Sequence, residues 1–453
     1  MHDGKGLTRS LAEFVADLRT RDVPEAAVAT ATAGFLDCVA VIALGWETDV
    51  ARHLRRLDGL AGWSDPFGRA GANPATRALH LAVAAHALDF DDTAIAGHPS
   101  AVLVPAILAE LHDRSHSGAD AIAAWIAGYE VWGELAAREP DPLHGAGWHP
   151  SAVYGPVAAA AAVASLRRCD AATTATALSL AASTSGGLIA QFGTWAKPWQ
   201  LGRAAKHGHE AATIAVAGMM AAPTALEHPL GLLAALSPGN RARLDGPRAD
   251  GLHVLTEGLN IKLYPVCYAM HRALDATGAV VAAHDVNPDA VAGVTVEIGE
   301  TQAGLLRHAR PGTASEARFS LHFGVASMLL RRRCGPEELD EKFIRSDGIR
   351  ALCERVEVRT LSERSPLEPA HSPWDRVTLH LRDGRSIQSD KIDFPVGHFR
   401  NPAPAVRLAA KFDACTTGLP RDRAARLRQA LEGLASLPDT DILFSVREVA
   451  NAE

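Results

Sequence analysis

Three carboxylates, a hydroxyl and an imidazole lie close together in the segment DFDDTAIAGHPS, residues 89–100. The alanine-rich residues 82–88 before it predict a helix, so these polar groups follow a helix end, in a loop that contains Gly and Pro. Loops of this kind can line a cleft with polar side chains without disrupting a core. Asp89, Thr93 and His98 could therefore supply a proton donor, a proton acceptor and a contact for an anion or a metal ion.

Three further segments carry a similar mixture of imidazole and cationic groups. They place His149 in GAGWHPSAVYGP (145–156), Lys197, Arg203 and His207 in GTWAKPWQLGRAAKHGHE (193–210), and Lys262 and Cys267 in IKLYPVCYAMH (261–271). Arg203 and His207 are four residues apart, which puts them on one face of a predicted helix. Cations in apolar sequence need a counter-charge, because burying an unpaired charge is costly. Either Asp89, Asp91 and Asp92 provide it or a carboxylate-bearing substrate does, and both could be true.

Each of these residues also has an ordinary structural explanation. The aspartates could form a solvated turn, and His98 could bond to the backbone of a turn. The lysines could extend along the surface to solvent, and Cys267 could simply fill a core. Four clusters with the same chemistry on the loops of one helical region nevertheless favour a shared cleft.

The letters DFDDT match two unrelated motifs whose contexts fail here. The DxDxT loop of haloacid-dehalogenase-type phosphatases follows a β-branched strand, whereas this segment follows HLAVAAHAL. The DxDDT motif of class II terpene cyclases requires aromatic rings to stabilise carbocations. Only 5% of this chain is aromatic, and nearby lysines would repel a carbocation.

The composition is that of a globular protein with more than one domain. The chain has 453 residues, of which 47% are apolar and 21% charged, and its formal charge of −7 argues against a nucleic-acid partner. We expect no signal peptide, and the apolar run 157–166 is about half the length that a membrane crossing requires. Six scattered cysteines without a CxxC pair argue against zinc ribbons, iron–sulfur clusters and disulfides, and predict a reducing cytoplasm.

The secondary structure that the sequence predicts changes after about Pro265. Ala-rich segments before it predict packed helices, whereas Val294, Val296 and Ile298 alternate as in a half-buried strand. Strands are also predicted around 356–358 and 377–381, and Asp383-Gly384 predicts a tight hairpin that returns through Ile387. Helices are predicted at 316–332 and 336–343 and again from residue 403 onward, so the chain end is expected to rejoin the helical domain.

Taken together, the segments DFDDT…GHPS, GWHP, AKPWQLGRAAKHG, KxYP and EARFSLHF (316–323) resemble the MmgE/PrpD family, in the family's order and over nearly the whole chain. The resemblance implies a mainly α fold, with a large all-helical domain from residues 1–267 and 396–453 and a smaller α+β lid at 268–395. It also implies a homodimer that requires neither a metal nor an organic cofactor. The family's site positions correspond here to Asp89, Thr93, His98, His149, Lys197 and Lys262.

The activities of that family imply a lyase that removes a proton next to a carboxylate of a small di- or tricarboxylate. Lys197, Lys262 and Arg203 are expected to hold the carboxylates and stabilise the resulting anion, with Cys267 and His207 nearby. His98 or His149 would move the proton, while Asp89 orients a His or Lys and Thr93 bonds to the substrate.

The same site could catalyse three reactions, and the residues at two positions decide which reaction we expect first. Cys267 and Phe323 stand where the family's decarboxylases resemble a pattern with His and Tyr. We therefore place a 2-methylcitrate dehydratase-like reaction first, an iminodisuccinate epimerase-like reaction second and cis-aconitate decarboxylation third. A non-catalytic carboxylate-binding relative is the alternative from a different class.

Overall fold

Helices form most of the chain in the computed structural model, which describes residues 6–19, 22–68 and 71–444. Residues 1–5, 20–21, 69–70 and 445–453 of the predicted helical domain lie outside the described residues. The helices before the sequence change are α1 (Leu7–Asp17), α2 (Glu25–Gly45), α3 (Asp49–Leu57), α4 (Pro74–His86), α5 (Ser100–Asp113), α6 (Gly118–Ala137), α7 (Pro150–Leu166), α8 (Ala171–Ala182), α9 (Ala196–Val216), α10 (Leu232–Leu236) and α11 (His253–Thr256).

Small residues let α9 approach both α4 and α7 closely. A Cβ atom on Gly208 would lie 2.5 Å from the carbonyl oxygen of Pro156 in α7, and one on Gly202 would lie 2.9 Å from that of Leu79 in α4. Neither position has room for a side chain. This close packing brings the start of α9 beside the end of α4 and the start of α7, where the predicted site residues lie.

A four-stranded sheet and its helices form the second part of the chain. Its elements are α12 (His271–His284), β1 (Val291–Gly299), α13 (Glu300–Leu305), α14 (Ala314–Ala317), α15 (Leu321–Arg331), α16 (Glu341–Ile344), α17 (Asp347–Cys353), β2 (Val356–Leu361), β3 (Arg376–Leu381) and β4 (Ser386–Gln388). The strand order is β2-β1-β3-β4. Val294 pairs with Val356 in parallel, whereas β3 runs antiparallel to β1 and forms the predicted hairpin with β4. The mainly α fold with a small α+β part is confirmed.

Two helices predicted in this part are interrupted. The segment 316–332 contains a break at residues 318–320, because the hydroxyl of Thr313 caps α14 and that of Ser320 begins α15 by accepting from the Phe323 N–H. The segment 336–343 is likewise divided, because Asp340 caps α16. Hydroxyl and carboxylate side chains at helix starts outweighed the helical propensity of their neighbours. We refer to residues 268–395 as the lid.

The two largest hydrophobic cores of the described residues are separated near residue 264, and a small third one joins α3 to α4. Of the two largest, one joins residues 7–261 with 412–444, and the other runs from Tyr264 to Leu379. The last helices, α18 (Ala405–Cys415) and α19 (Arg421–Glu432), pack against α2. The Lys411 ammonium of α18 contacts the Asp37 carboxylate of α2 at 2.6 Å and donates to the Phe90 carbonyl at 2.8 Å. The chain end therefore supports the segment that begins at Asp89.

Helix α2 is long and apolar enough to cross a membrane by length and composition. More than half of its apolar window is buried within the protein, where it packs against α4, α5 and α6. It also carries Asp37, which pairs with Lys411. These contacts are those of a core helix.

Candidate active site

The loop after α4 contains non-glycine residues in the left-handed backbone conformation, which most residues avoid. Asp89, Ile95 and Ala96 adopt positive φ angles of 51°, 48° and 58°. Non-glycine residues in this conformation are strained and persist where surrounding contacts hold them. Here the Thr93 hydroxyl donates to the Gly97 carbonyl at 2.7 Å, and Thr93 and Asn260 exchange backbone hydrogen bonds. That exchange brings the chain near residue 262 against the loop.

Asp89 binds two lysines that are distant in sequence. The Lys262 ammonium donates to the Asp89 Oδ1 at 2.6 Å and to its backbone carbonyl at 3.0 Å. The Lys197 ammonium donates to the same Oδ1 at 3.2 Å and to the His86 Nε2 at 2.8 Å. Burial alone would raise the pKa of Asp89, but the two ammonium groups outweigh it and hold that pKa well below its usual range. Asp89 is therefore ionised and orients both lysines.

The protonation of His98 follows from its partners. Its Nδ1 lies 3.0 Å from the Asp91 Oδ2 and 3.0 Å from the Asp92 carbonyl, and both of these groups accept hydrogen bonds. Nδ1 must then carry the proton, which leaves a lone pair on Nε2. Burial lowers the pKa of His98, while Asp91 partly offsets that effect. His98 is thus a neutral imidazole oriented by a carboxylate, the arrangement of a general base.

His149 is held in the same tautomer by an amide. The Gln200 Nε2 donates to the Leu188 carbonyl at 3.2 Å, which turns the Gln200 Oε1 toward the His149 Nδ1 at 2.7 Å. The His149 Nδ1 must therefore be the donor. Its Nε2 is buried and has no hydrogen-bond partner within the described ranges. Burial, followed by the charge of Lys197, lowers the pKa of His149 well below its usual value.

The orientation of Gln200 leads to a test by pH profile. Gln200→Leu removes the acceptor for the His149 N–H, and we expect kcat/KM to fall by about 10-fold, which corresponds to the loss of one hydrogen bond worth about 1.4 kcal/mol. Gln200→Glu keeps the acceptor and adds a negative charge, which raises the pKa of His149. The acid limb of its kcat/KM profile should move to higher pH. Identical profiles for all three proteins would show that Gln200 does not set the state of His149.

These groups surround a cavity of about 110 Å³ between the helical part and the lid. It is lined by Asp89, Thr93, His98, His149, Lys197, Lys262 and Cys267, and from the lid by Tyr268, Gln302, Phe319 and His371. The Tyr268 hydroxyl and the His371 Nδ1 are buried without a partner in the described structure, as is the His149 Nε2. Buried polar atoms without partners are uncommon, so their presence around one cavity indicates a polar ligand.

Seven of the nine residues predicted for the site line this cavity. The other two, Arg203 and His207, do not line it. The Arg203 guanidinium lies over the exposed Trp199 ring at 4.9 Å, on the side of α9 away from Lys197. Their predicted role as substrate ligands receives no support from this geometry. They share a helix with Lys197, but both are only half-buried, whereas Lys197 is buried.

Sequence reasoning missed several residues at the site. His86 was treated as part of an alanine-rich helix, although it contacts Lys197 at 2.8 Å and Asp91 at 3.0 Å. Burial lowers the pKa of His86 to about 3, so it is neutral and accepts from Lys197. Its spacing of five residues before Asp91 was a usable signal. Tyr268 lies within the segment 261–271, directly after Cys267, and its position there was a usable signal. His371 offered none, because it lies outside every segment that the sequence pattern indicated.

Four of the buried groups could in principle bind a metal ion. The ligand atoms of His86, Asp89, Asp91 and His98 all lie within 4.8 Å of one another. Asp89 accepts hydrogen bonds from Lys197 and Lys262, and His86 directs its free nitrogen at Lys197. Two ammonium groups therefore already provide the positive charge that a metal ion would supply. A metal-free site remains our prediction.

The chain is similar to known proteins over nearly its whole length. Its sequence is 27% identical to "Cis-aconitate decarboxylase" of Homo sapiens, over 98% of this chain and 94% of the relative. It is also 27% identical to the Mus musculus protein of that name, over 97% and 93%, and 24% identical to that of Aspergillus terreus (strain NIH 2624 / FGSC A1156), over 90% and 88%. Models of the MmgE/PrpD N-terminal and C-terminal domains match residues 9–245 and 264–435. Because these two matches together span most of the sequence, the chain belongs to the MmgE/PrpD family.

Proposed function

We propose that this protein is a cofactor-independent lyase that dehydrates a small polycarboxylate bearing a β-hydroxyl group. A lyase is the class that the names of the curated relatives indicate. The observation that carries the dehydration is the state of the two imidazoles. His98 and His149 are both neutral, and neither Nε2 accepts a hydrogen bond from the residues that the structure describes, so both are suited to remove a proton.

His98 is the better base of the two. Asp91 accepts its Nδ1–H and raises its basicity, whereas His149 has only a neutral amide as partner and lies in the field of Lys197. The ideal general base has a pKa near the working pH, and His98 is closer to that condition. His98 therefore takes the α-proton. We assign His149 to substrate contact through its free Nε2.

The remaining groups complete the elimination. Lys197 and Lys262 stabilise the enediolate-like anion that forms when the α-proton leaves. The electron pair then forms the carbon–carbon double bond as the bond to the β-hydroxyl breaks. Tyr268, whose pKa is raised well above its usual value by burial, is protonated and can donate to the departing hydroxide. Water leaves, and the unsaturated acid remains.

Decarboxylation is the second candidate, favoured by the curated relatives over nearly the full length of the chain. For a substrate such as cis-aconitate, the bond to one carboxylate breaks, its electron pair shifts the double bond, and a proton is added to carbon. If an imidazole supplied that proton, it would have to start in the charged form, whereas burial lowers the pKa of both His98 and His149 and favours their neutral form. Phe323, which lies in the lid core rather than along the cavity, supplies no hydroxyl.

The deciding experiment is NMR in deuterated water with 2-methylcitrate, citrate, cis-aconitate and iminodisuccinate. Dehydration of citrate gives a vinyl proton signal, whereas dehydration of 2-methylcitrate turns its methyl doublet into the singlet of a methyl group on a double bond. Either reaction is expected to leave deuterium in the remaining substrate. Decarboxylation gives carbon dioxide and a new terminal methylene, and epimerisation gives deuterium with inverted configuration. If no acid is turned over while thermal shifts show that acids bind, the non-catalytic alternative is correct and this proposal is wrong.

A further inference from the structure

A second and larger space opens beside the catalytic cavity. It measures about 880 Å³ and shares Asp89, Lys197 and Phe319 with the smaller cavity. Arg318 of the lid lines this larger space. Its backbone carbonyl accepts from the Cys267 N–H at 2.8 Å, which fixes it next to the residues of the catalytic cavity.

The Arg318 guanidinium forms no ion pair in the part of the chain that is described, and Asp89 is the one described carboxylate that attracts it. Its Nε is sealed from solvent and has no hydrogen-bond partner there. Burial lowers the pKa of Arg318 to about 10, with Asp89 the one group opposing the shift, so the side chain stays charged at neutral pH. Arg318 is half-buried, and a charged group that has lost part of its hydration usually has a partner. It lies at the break between α14 and α15.

The other charges around the catalytic cavity cancel. Lys197 and Lys262 are offset by Asp89, with which both pair, and by Asp91, which holds His98. The histidines add no charge, since burial lowers the pKa of both His98 and His149. Without Arg318, an anion with several carboxylates would enter a site of no net charge.

Most acidic residues at the outer rim of the larger space have cationic partners. Asp49 is paired with Arg52 at 2.9 Å, and Glu341 with Arg345 at 2.8 Å. Glu47 also lies 3.6 Å from Arg52, whereas Asp340 caps α16 and keeps its charge, because it accepts from two neutral backbone N–H groups. Among the described cations that line the space, Arg318 is the one without an ion pair, since Arg52 and Lys197 both have one.

We propose that Arg318 binds the carboxylate most remote from the reacting carbon and selects tricarboxylates over dicarboxylates. The carboxylate next to the reacting carbon lies against Lys197 and Lys262, while a further one reaches past Phe319 to the guanidinium. The planar guanidinium can bind a carboxylate through two parallel hydrogen bonds. This specificity role builds on the proposed function, because it assumes that the site holds a polycarboxylate.

Isothermal titration calorimetry with tricarballylate and succinate tests the role of Arg318. We expect wild type to prefer tricarballylate, and Arg318→Gln to weaken its binding by about 100-fold, as expected for a charge-assisted bidentate pair. The preference over succinate should then shrink to less than about threefold. Arg318→Lys keeps the charge but loses the planar guanidinium. Its affinity for tricarballylate should therefore lie between the affinities of wild type and Arg318→Gln. The exposed lid residue Arg310, as Arg310→Gln, is the matched control.

The outcomes separate this inference from the proposed function. If wild type does not prefer tricarballylate, or if folded Arg318→Gln keeps the wild-type preference, Arg318 is not the specificity residue. Turnover of the acids is measured separately, by NMR. Selective binding through Arg318 without turnover would overturn the lyase proposal alone, whereas turnover with unchanged KM in Arg318→Gln would overturn the Arg318 proposal alone.

Discussion

Replacement of His98 by alanine is expected to abolish exchange of the substrate α-proton with solvent deuterium. We expect kcat to fall by about 1,000-fold, within the range for loss of a general base. The reason is that the Asp91-oriented imidazole presents its free Nε2 at the cavity, and alanine puts no proton acceptor there. The measurement is NMR in deuterated water, with thermal unfolding to show that the variant is folded.

The exposed His284, at the end of α12, offers a matched control. His284→Ala should exchange the α-proton at the wild-type rate. His149→Ala tests the assignment of the base, because it should keep measurable exchange while binding substrate less well. Undiminished exchange in His98→Ala, with exchange lost in His149→Ala, would transfer the role of base to His149.

Substitution of Asp89 by asparagine is expected to affect stability and activity together. Lys197 and Lys262 would remain buried without the carboxylate that both contact. Loss of one partner of a buried ion pair costs about 3–5 kcal/mol, and we expect a decrease of that size in the free energy of unfolding. Activity should fall further than stability explains, because neither ammonium would keep its position. Urea denaturation and the NMR assay measure the two effects.

A second substitution separates charge from geometry. Asp89→Asn combined with Lys262→Met restores the net charge of the cluster and should recover much of the lost stability without recovering activity. The exposed Asp390, as Asp390→Asn, is the control and should resemble wild type. If Asp89→Asn alone unfolds at the same urea concentration as wild type, the lysines do not depend on Asp89.

The same contact determines a dependence of stability on pH. The pKa of Asp89 is lower in the folded protein than in the unfolded chain, so its contribution is present above the unfolded value of about 3.9. That contribution is lost as pH falls through the lower folded-state value. In Asp89→Asn this part of the acid-induced loss should be missing.

The elements of the fold that could be predicted are those whose sequence pattern lies within a few consecutive residues. Alternating Val294, Val296 and Ile298 indicated β1, and Asp383-Gly384 indicated the β3–β4 hairpin. The parallel pairing of β1 with β2 could not be predicted, since it joins residues separated by several helices. The break at Arg318 was missed because the capping hydroxyls of Thr313 and Ser320 lie within a sequence of good helix formers.

The site was predictable as a set of residues but not as a network. The sequence indicated that the cations need a counter-charge, from the aspartates or from a substrate, yet only the fold shows that Lys197 and Lys262 share one oxygen of Asp89. Arg203 shows what residue spacing along a helix cannot predict. Spacing tells which residues share a face of the helix, but it does not tell which face lines the cleft. The role of Gln200 depends on the Leu188 carbonyl, a backbone partner that no motif encodes.

The contact of Lys411 with Asp37 and the Phe90 carbonyl has a consequence for folding during translation. During translation the N-terminal helices leave the ribosome first and begin to associate while the chain is still growing. The support beneath the loop that starts at Asp89 comes from α18, whose Lys411 lies 321 residues after Phe90. A nascent chain that does not yet include that helix would carry nearly all of the catalytic side chains without this support, so we expect activity only after α18 has been synthesised.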